Sequence, residues 1–245
     1  MTIEVCCGGY KDALAAYRGG ADRVELCSDI LYGGLTPTLG TLALTKENTS
    51  LECSCMLRCR EGGFCYDGHE FAVMKKDAEL FISMGCDGLV FGFLTREGFI
   101  DYEMTARMCD FIDGRCKCVF HKAFDCSKDE LHSAHAALKK AGIDRILTSG
   151  RAKTALEGVS VLKELSSMGG IEIMAGGSVR SHNIKELFEK SGCNSFHTSA
   201  FEWLSDDSAR SPFISFSPKK GFEDGQYMEA QESVIRDFTI SARSL

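Results

Sequence analysis

The chain has 245 residues, of which 44% are apolar, and this is enough to bury a sizeable core. Its 35 acidic and 28 basic residues give a net charge of −7, which argues against nucleic acid and anionic membrane surfaces as partners. No stretch approaches the roughly 18 apolar residues of a membrane-spanning helix, and a strand-like run starts at Ile3, so we expect no signal peptide and a cytoplasmic protein.

A repeated pattern then runs along the chain: a helical stretch ends at a glycine, Asp or Asn follows, and a short apolar segment comes next. Its copies begin at Gly19, Gly85, Gly142 and Gly192. This order of residues is typical of a connection from a helix to a strand. Together with the segments between the copies, it predicts eight strands, near residues 2–7, 23–28, 52–58, 87–93, 117–123, 145–149, 171–175 and 195–199.

The gaps between these strands show helical periodicity, for example at residues 70–84, 127–141 and 153–167. Eight strands that alternate with helices over about 250 residues are what a (β/α)8 barrel, or TIM barrel, requires. We therefore predict an α/β fold with a TIM barrel, in a single domain that spans residues 1–245. Residues 201–226 are expected to form a long irregular segment before a last helix at about 227–241.

The first two strands share a Glu-x-Cys spacing, in Glu4 to Cys6 and in Glu25 to Cys27. Side chains alternate between the faces of a strand, and a barrel mouth accommodates carboxylates more readily than the space under the outer helices does. We therefore expect all four side chains to point into the barrel. Two soft thiolates on neighbouring strands favour Cu(I), and the alternative is a pair of buried thiols that only fill the barrel mouth.

Ionisable residues at the ends of several strands are predicted to meet at the carboxyl-terminal rim of the barrel. Such a density of acidic and basic groups is typical of a functional site and suits acid/base chemistry. Strand alternation at the end of the fifth strand puts His121 and Asp125 on one face. The candidate catalytic residues are Glu25, Arg58, His121, Asp125 and His197.

Gly176, Gly177 and Ser199 follow the seventh and eighth strands, where many TIM barrels bind phosphate through exposed amides. They form a candidate site for a small anionic ligand, although glycines here could also serve only to make tight turns. Cys53 and Cys55 match no common zinc module and are predicted to face the outer helices as packing residues. No motif for an organic cofactor is evident.

The motifs ADRVELC, GGLTP, VFHKAFD, LTSG, MAGG and FHTSA occur in this order along nearly the whole chain. Together they closely resemble the CutC family of copper-homeostasis proteins. The resemblance implies a cytosolic TIM barrel that forms a homo-oligomer, a dimer or a tetramer, and that takes part in copper handling. It also implies Cu(I) ligands at the ends of the first two strands, which match Cys6 and Cys27.

Two segments differ from the family pattern. Members usually have Arg-Pro-Arg-Gly-Gly-Asp-Phe after the third strand, whereas this chain has RCREGGF at residues 58–64, so a ligand site in the loop Cys59–Gly63 is in doubt. Lys122 stands where the family favours arginine, and it replaces a rigid fork of donors with a point charge.

Three functions remain open from the sequence. The first is a binding protein that holds Cu(I) for buffering or trafficking. The second is an enzyme that uses the rim residues on a small anionic substrate, a class that includes phosphorylated molecules. The third is a scaffold whose oligomer surface is the function.

Overall fold

A computed structural model describes residues 1–215, 217 and 221–245. The barrel strands are β1 (Thr2–Cys7), β2 (Arg23–Leu26), β3 (Glu52–Met56), β4 (Gly88–Phe91), β5 (Lys117–Phe120), β6 (Arg145–Thr148), β7 (Glu172–Gly176) and β8 (Ser195–Thr198). They are parallel, follow chain order around a closed barrel, and β8 pairs with β1. The predicted TIM barrel is confirmed.

The helices are α1 (Tyr10–Arg18), α2 (Leu39–Asn48), α3 (Gly68–Ser83), α4 (Tyr102–Ile112), α5 (Ala123–Cys126), α6 (Leu131–Ala141), α7 (Val159–Met168), α8 (Ile184–Ser191) and α9 (Glu232–Arg243). The glycine pattern marks helix ends as predicted, since Gly142 and Gly192 end α6 and α8 in the left-handed conformation. At the start of α3, Asp67 and Glu70 form a capping box that satisfies free amide groups. Within the described residues, no helix combines the length and apolarity that crossing a bilayer requires.

The barrel sheet separates two apolar regions. The larger one lies between the strands and the outer helices, and it contains Cys53 and Cys55, which are fully buried as predicted for packing residues. The smaller one lies inside the barrel and consists of Cys27, Met56, Val90 and Val119. This inner cluster closes the barrel below its carboxyl-terminal mouth.

The segment predicted to be irregular is partly regular. Phe201–Ser205 forms β9, Gln226–Ala230 forms β10, and the two pair as an antiparallel hairpin, so the last helix starts at Glu232 rather than near residue 227. Residues 216 and 218–220 of the predicted segment lie outside the described residues. The amide of Ala230 donates to the carboxylate of Asp12 on α1, which fastens the hairpin to the barrel. Sequence alternation could not reveal this pairing because a long connection separates the two strands.

Candidate functional site

Cys6 and Cys27 lie side by side at the mouth of the barrel, with their sulfur atoms 3.7 Å apart. β1 and β2 are hydrogen-bonded neighbours, and their register sets Cys6 opposite Glu25. Cys27 packs in the inner cluster, while Cys6 lines the cavity that opens above it. The predicted inward orientation is therefore confirmed, and strand pairing brings two soft sulfur donors together.

A chain of buried charged groups adjoins the thiols. His197 Nδ1 donates a hydrogen bond of 2.8 Å to Glu4 Oε1, and His197 Nε2 lies 3.9 Å from Glu25 Oε2. The other carboxylate oxygen of Glu4 accepts a hydrogen bond of 2.5 Å from Arg23 Nε and lies 4.0 Å from Arg145 Nη1. His197 therefore sits between two carboxylates, one of which is held by arginines.

The two carboxyl groups have opposite pKa shifts. Burial raises the pKa of Glu25 to about 7, and its proximity to His197 only partly offsets this effect. Burial also acts on Glu4, but the hydrogen bond with His197 and the nearby arginines outweigh it and lower the pKa to about 2. Burial disfavours the imidazolium of His197, yet Glu25, Cys6 and Glu4 together raise its pKa well above the usual value. These shifts favour the imidazolium form of His197 and the carboxylate form of Glu4 near neutral pH.

The raised pKa of Glu25 predicts a specific pH dependence of stability. Because its pKa rises from about 4.5 in the unfolded chain to about 7 in the folded one, the stabilisation is fully present below pH 4.5 and is lost as the pH rises through 7. Relative to Glu25→Gln, the parent should lose up to about 3 kcal/mol of unfolding free energy over this range. Urea unfolding of both proteins between pH 4.5 and 8 measures the difference, and parallel pH profiles would contradict the shift.

His121 follows β5 directly and is buried beside the ring of Phe64, at 4.9 Å between ring centroids. Its Nδ1 accepts a hydrogen bond from the amide of Ala123, and burial lowers its pKa to about 3, so the ring is neutral and carries its proton on Nε2. That Nε2 is buried with no hydrogen-bond partner among the described residues. A Cβ at Gly92 would lie 2.5 Å from Nδ1, so glycine is required there to admit the ring.

Arg58 lines the same cavity but is held by backbone oxygens. Its Nη1 donates to the carbonyls of Tyr32 and Gly34, and its Nη2 donates to the carbonyl of Gly62. The guanidinium also lies over the ring of Phe64, 5.3 Å from its centroid. Arg58 therefore ties the loop after β2 to the altered loop Cys59–Gly63, and it adds positive charge to the cavity wall.

Asp125 does not join the other candidate residues at the cavity. The chain leaves strand geometry after Phe120 and forms the short helix α5, so the alternation that paired Asp125 with His121 ends there. The carboxylate instead accepts hydrogen bonds from the amide of Arg151 and from both the amide and the hydroxyl of Ser149. Asp125 thus holds the loop after β6 at the carboxyl-terminal end of the barrel, and it is not part of the cavity wall.

Two of the three residues predicted to bind an anion line the cavity. Gly177 and Ser199 line the cavity, whereas Gly176 is the last residue of β7 and its Cα faces Leu147 and His197. Two cations that were not predicted as part of the anion site also line the cavity. They are Lys122 and Arg180, and Arg180 Nη2 donates to Ser199 Oγ at 3.2 Å. An arginine shortly after the glycine turn of β7 was the available signal for the second one.

The cavity has a volume of about 440 Å³ and lies over the carboxyl-terminal mouth of the barrel. Cys6, Glu25 and His197 belong to its wall, as do Arg58, which follows β3, and His121, which follows β5. Its apolar wall includes residues of the C-terminal hairpin as well as of the barrel loops: Ile30, Met56, Phe64, Leu147, Phe201 and Met228. The arrangement combines thiols, charged groups and apolar surface in one space.

The donor atoms at the cavity floor fit a soft metal ion. Within the described residues, one ligand atom from each of Cys6, Cys27 and Glu25 falls within 4.8 Å of the others. At roughly 2.3 Å for each metal–sulfur bond, sulfurs 3.7 Å apart would hold an ion in a bent bridge. A linear site would need the sulfurs about 1 Å farther apart, which is within the reach of side-chain rotation. Two thiols beside one carboxyl group suit Cu(I) better than a four-ligand zinc site.

Comparison with known proteins identifies relatives with the same barrel. The CutC family model matches residues 1–202. A CutC family protein of Treponema denticola is 41% identical over 204 residues, which cover 82% of each chain. The human copper homeostasis protein cutC homolog is 40% identical over 203 residues, which cover 81% of this chain and 72% of that protein.

Solved structures agree with these matches. The crystal structure of a CutC protein from Streptococcus agalactiae superimposes with a TM-score of 0.75 at 28% identity, over 80% of this chain and 97% of the other. Phosphoribosylanthranilate isomerase of Thermotoga maritima reaches a TM-score of 0.59 at 10% identity over the full length of both chains, and it shares the fold alone. The chain therefore belongs to the CutC family, the family of the human copper homeostasis protein cutC homolog.

Proposed function

We propose that the protein binds Cu(I) through the thiolates of Cys6 and Cys27 and serves in intracellular copper buffering or trafficking. The observation that carries this proposal is the 3.7 Å separation of the two sulfur atoms at the barrel mouth. Membership in a family that includes copper homeostasis proteins supports the choice of metal. Soft sulfur ligands also favour Cu(I) over hard divalent ions.

The protonation of the thiols gives copper binding a pH dependence. The hydrogen bond with Cys27, followed by burial, raises the pKa of Cys6 well above its usual value. Cys6 favours the thiolate of Cys27 through the same hydrogen bond, but burial and Glu25 raise that pKa overall. Both thiols are therefore protonated in the metal-free protein, and an ion that binds them must displace their protons.

The experiment that tests the proposal is an anaerobic Cu(I) titration against a chromophoric chelator, followed by X-ray absorption at the copper edge. We expect one Cu(I) per chain with sulfur scatterers at roughly 2.3 Å. A spectrum with only nitrogen and oxygen neighbours, or no competition with the chelator, would reject the thiol site.

A second candidate function is an enzyme that acts on a small anionic substrate at the same cavity. It is favoured by the neutral His121, whose Nε2 has no partner among the described residues, in a wall that also carries Arg58 and Lys122. A carboxyl group with a pKa of about 7, that of Glu25, suits proton transfer near neutral pH, and the neutral imidazole of His121 can donate a hydrogen bond to a ligand through Nε2. A site that only binds copper through two thiolates would not need this imidazole and this carboxyl group.

A thermal-shift screen of small anionic metabolites tests the second candidate. A ligand at 100 times its dissociation constant stabilises the folded protein by about 2.7 kcal/mol, which is readily measured. Protection that is lost in His121→Ala would locate the ligand in this cavity. A hit must then be converted to product for the enzymatic candidate to stand.

We also propose that residues 1–245 act as one domain, in the cytosol, as a homo-oligomer. All thirteen cysteines are free thiols, which agrees with a reducing compartment. The oligomer is proposed from the family resemblance, and sedimentation of the purified chain measures its size.

A further inference from the structure

The rim of the cavity above the thiols carries more positive charge than its neighbours neutralise. Glu25 is the one carboxylate among the described residues of the wall, which also holds Arg58, Lys122 and Arg180. The chain as a whole has a net charge of −7. The positive charge at this opening is therefore opposite in sign to the net charge of the protein. We propose that Lys122 and Arg180 bind the phosphoryl group of a small ligand, between the loops that follow β5, β7 and β8.

Arg180 is held in position by neutral groups. Its Nη1 donates to the carbonyl of Val179 at 2.8 Å and to the hydroxyl of Thr198 at 3.3 Å, and its Nη2 donates to the hydroxyl of Ser199 at 3.2 Å. These bonds fix the guanidinium but use only part of its five N–H donors. Among the described residues, no carboxylate lies within 4.0 Å of it, so its charge is free for a ligand.

Lys122 approaches the same place from the other side. A Cβ built on Gly177 would lie 3.7 Å from Lys122 Nζ and 2.9 Å from the Cβ of Ser149, so the ammonium group closely approaches the loop after β7. Gly177 has a φ of +108°, which only glycine adopts without strain, and Ser178 follows with a φ of +56°. Ser178 of this loop and Ser199, which follows β8, line the cavity wall together with the two cations.

The number of cations favours a phosphoryl group over a carboxylate. A phosphate monoester carries close to two negative charges at neutral pH and offers three acceptor oxygens, so it can neutralise both Lys122 and Arg180. A carboxylate would leave one of the two charges unpaired in a partly enclosed site. The serine hydroxyls add neutral donors, and more of these can be satisfied by three oxygens than by two.

The rest of the ligand must fit the remaining cavity. A volume of about 440 Å³ admits a small metabolite, and Phe64, Phe201 and Met228 offer it apolar contact. The neutral His121 also lines this space, on the β5 side. A small phosphorylated molecule with an apolar or planar body satisfies both parts of the wall.

This inference rests on the second candidate function for its premise that the cavity takes an anion, and it names the group by which that anion is held. It needs neither copper nor a reaction. Binding of phosphate without any turnover would remove the enzyme and leave the phosphoryl site in place. A substrate that is converted to product but binds equally well when Lys122 and Arg180 are replaced would support the enzyme and reject the phosphoryl site.

Inorganic phosphate is the probe, measured by calorimetric titration and by thermal shift at constant ionic strength, with acetate and chloride in parallel. We expect saturable binding of phosphate and none of acetate. Lys122→Gln should weaken phosphate binding about tenfold or more, since it removes one charge-assisted contact, and Lys122→Arg should restore it. Lys122 is exposed, so these variants should fold even if Arg180→Gln does not.

The matched control is Lys163→Gln, which removes one exposed lysine from α7, away from the cavity wall, and should leave phosphate affinity unchanged. The double variant Cys6→Ala, Cys27→Ala should also keep phosphate binding, which separates this site from the thiols. Equal binding of acetate, absence of phosphate binding in the parent, or unchanged affinity in Lys122→Gln would each overturn the proposal.

Discussion

Replacement of Cys6 and Cys27 together by alanine is expected to lower the affinity for Cu(I) by more than about 100-fold. Loss of a group that merely hydrogen-bonds a metal ligand typically costs about 10- to 100-fold, and this variant removes both sulfur ligands themselves. The sulfurs are 3.7 Å apart with one carboxyl group beside them, so no second thiol is positioned to substitute among the described residues near Glu25. Anaerobic competition with a chromophoric chelator measures the change.

The matched control is the double variant Cys53→Ala, Cys55→Ala. It removes the same number of thiols from the next strand, but those two face the outer helices and are fully buried in the larger core. This control should lose some stability and keep its Cu(I) affinity. If both double variants bind Cu(I) as tightly as the parent does, the metal is held elsewhere and the proposed function falls.

Glu4→Gln is expected to destabilise the protein by about 3 to 5 kcal/mol near neutral pH. Glu4 is 1% exposed and Arg23 is 3% exposed, so the change would leave buried positive charges without their carboxylate. Breaking such a buried pair costs much more than breaking one at the surface. Urea unfolding at pH 7 measures the loss.

Glu52→Gln is the control, because Glu52 also pairs with Arg23, at 3.6 Å, but has a side chain that is 63% exposed. It should cost less than about 1 kcal/mol. The lowered pKa of Glu4 adds an acid test: its stabilisation is present above pH 4.5 and is lost as the pH falls towards 2, so the parent and Glu4→Gln should converge there. Equal losses of unfolding free energy in the two variants at pH 7 would show that the buried pair is no more stabilising than the exposed one.

The sequence was sufficient for the barrel and for its thiol pair. Strand alternation and parallel neighbours constrain where a side chain points, and Glu4, Cys6, Glu25 and Cys27 obey these rules because they lie within β1 and β2 or directly after them. The same reasoning placed Cys53 and Cys55 against the helices correctly. Residues in regular strands are thus predictable without a structure.

Residues beyond the strand ends were less predictable. Asp125 is absent from the cavity wall because α5 starts two residues after His121, and strand alternation does not apply within a helical turn. Arg180 was missed because its position depends on hydroxyls from β8 and the loop after it, far along the chain. The hairpin of β9 and β10 was missed for a similar reason, since its pairing crosses a long connection.

The hairpin divides the cavity wall between two parts of the chain. Met228 comes from β10, whereas the family match ends at residue 202, so this portion of the wall lies outside the matched region. The thiols, the buried carboxylates and His197 all come from within the matched region. The groups proposed to bind Cu(I) and the phosphoryl group therefore lie in the matched stretch, whereas part of the apolar wall comes from beyond it, so exchange of the hairpin is expected to change the fit of a ligand's apolar body and to leave the thiols and cations in place.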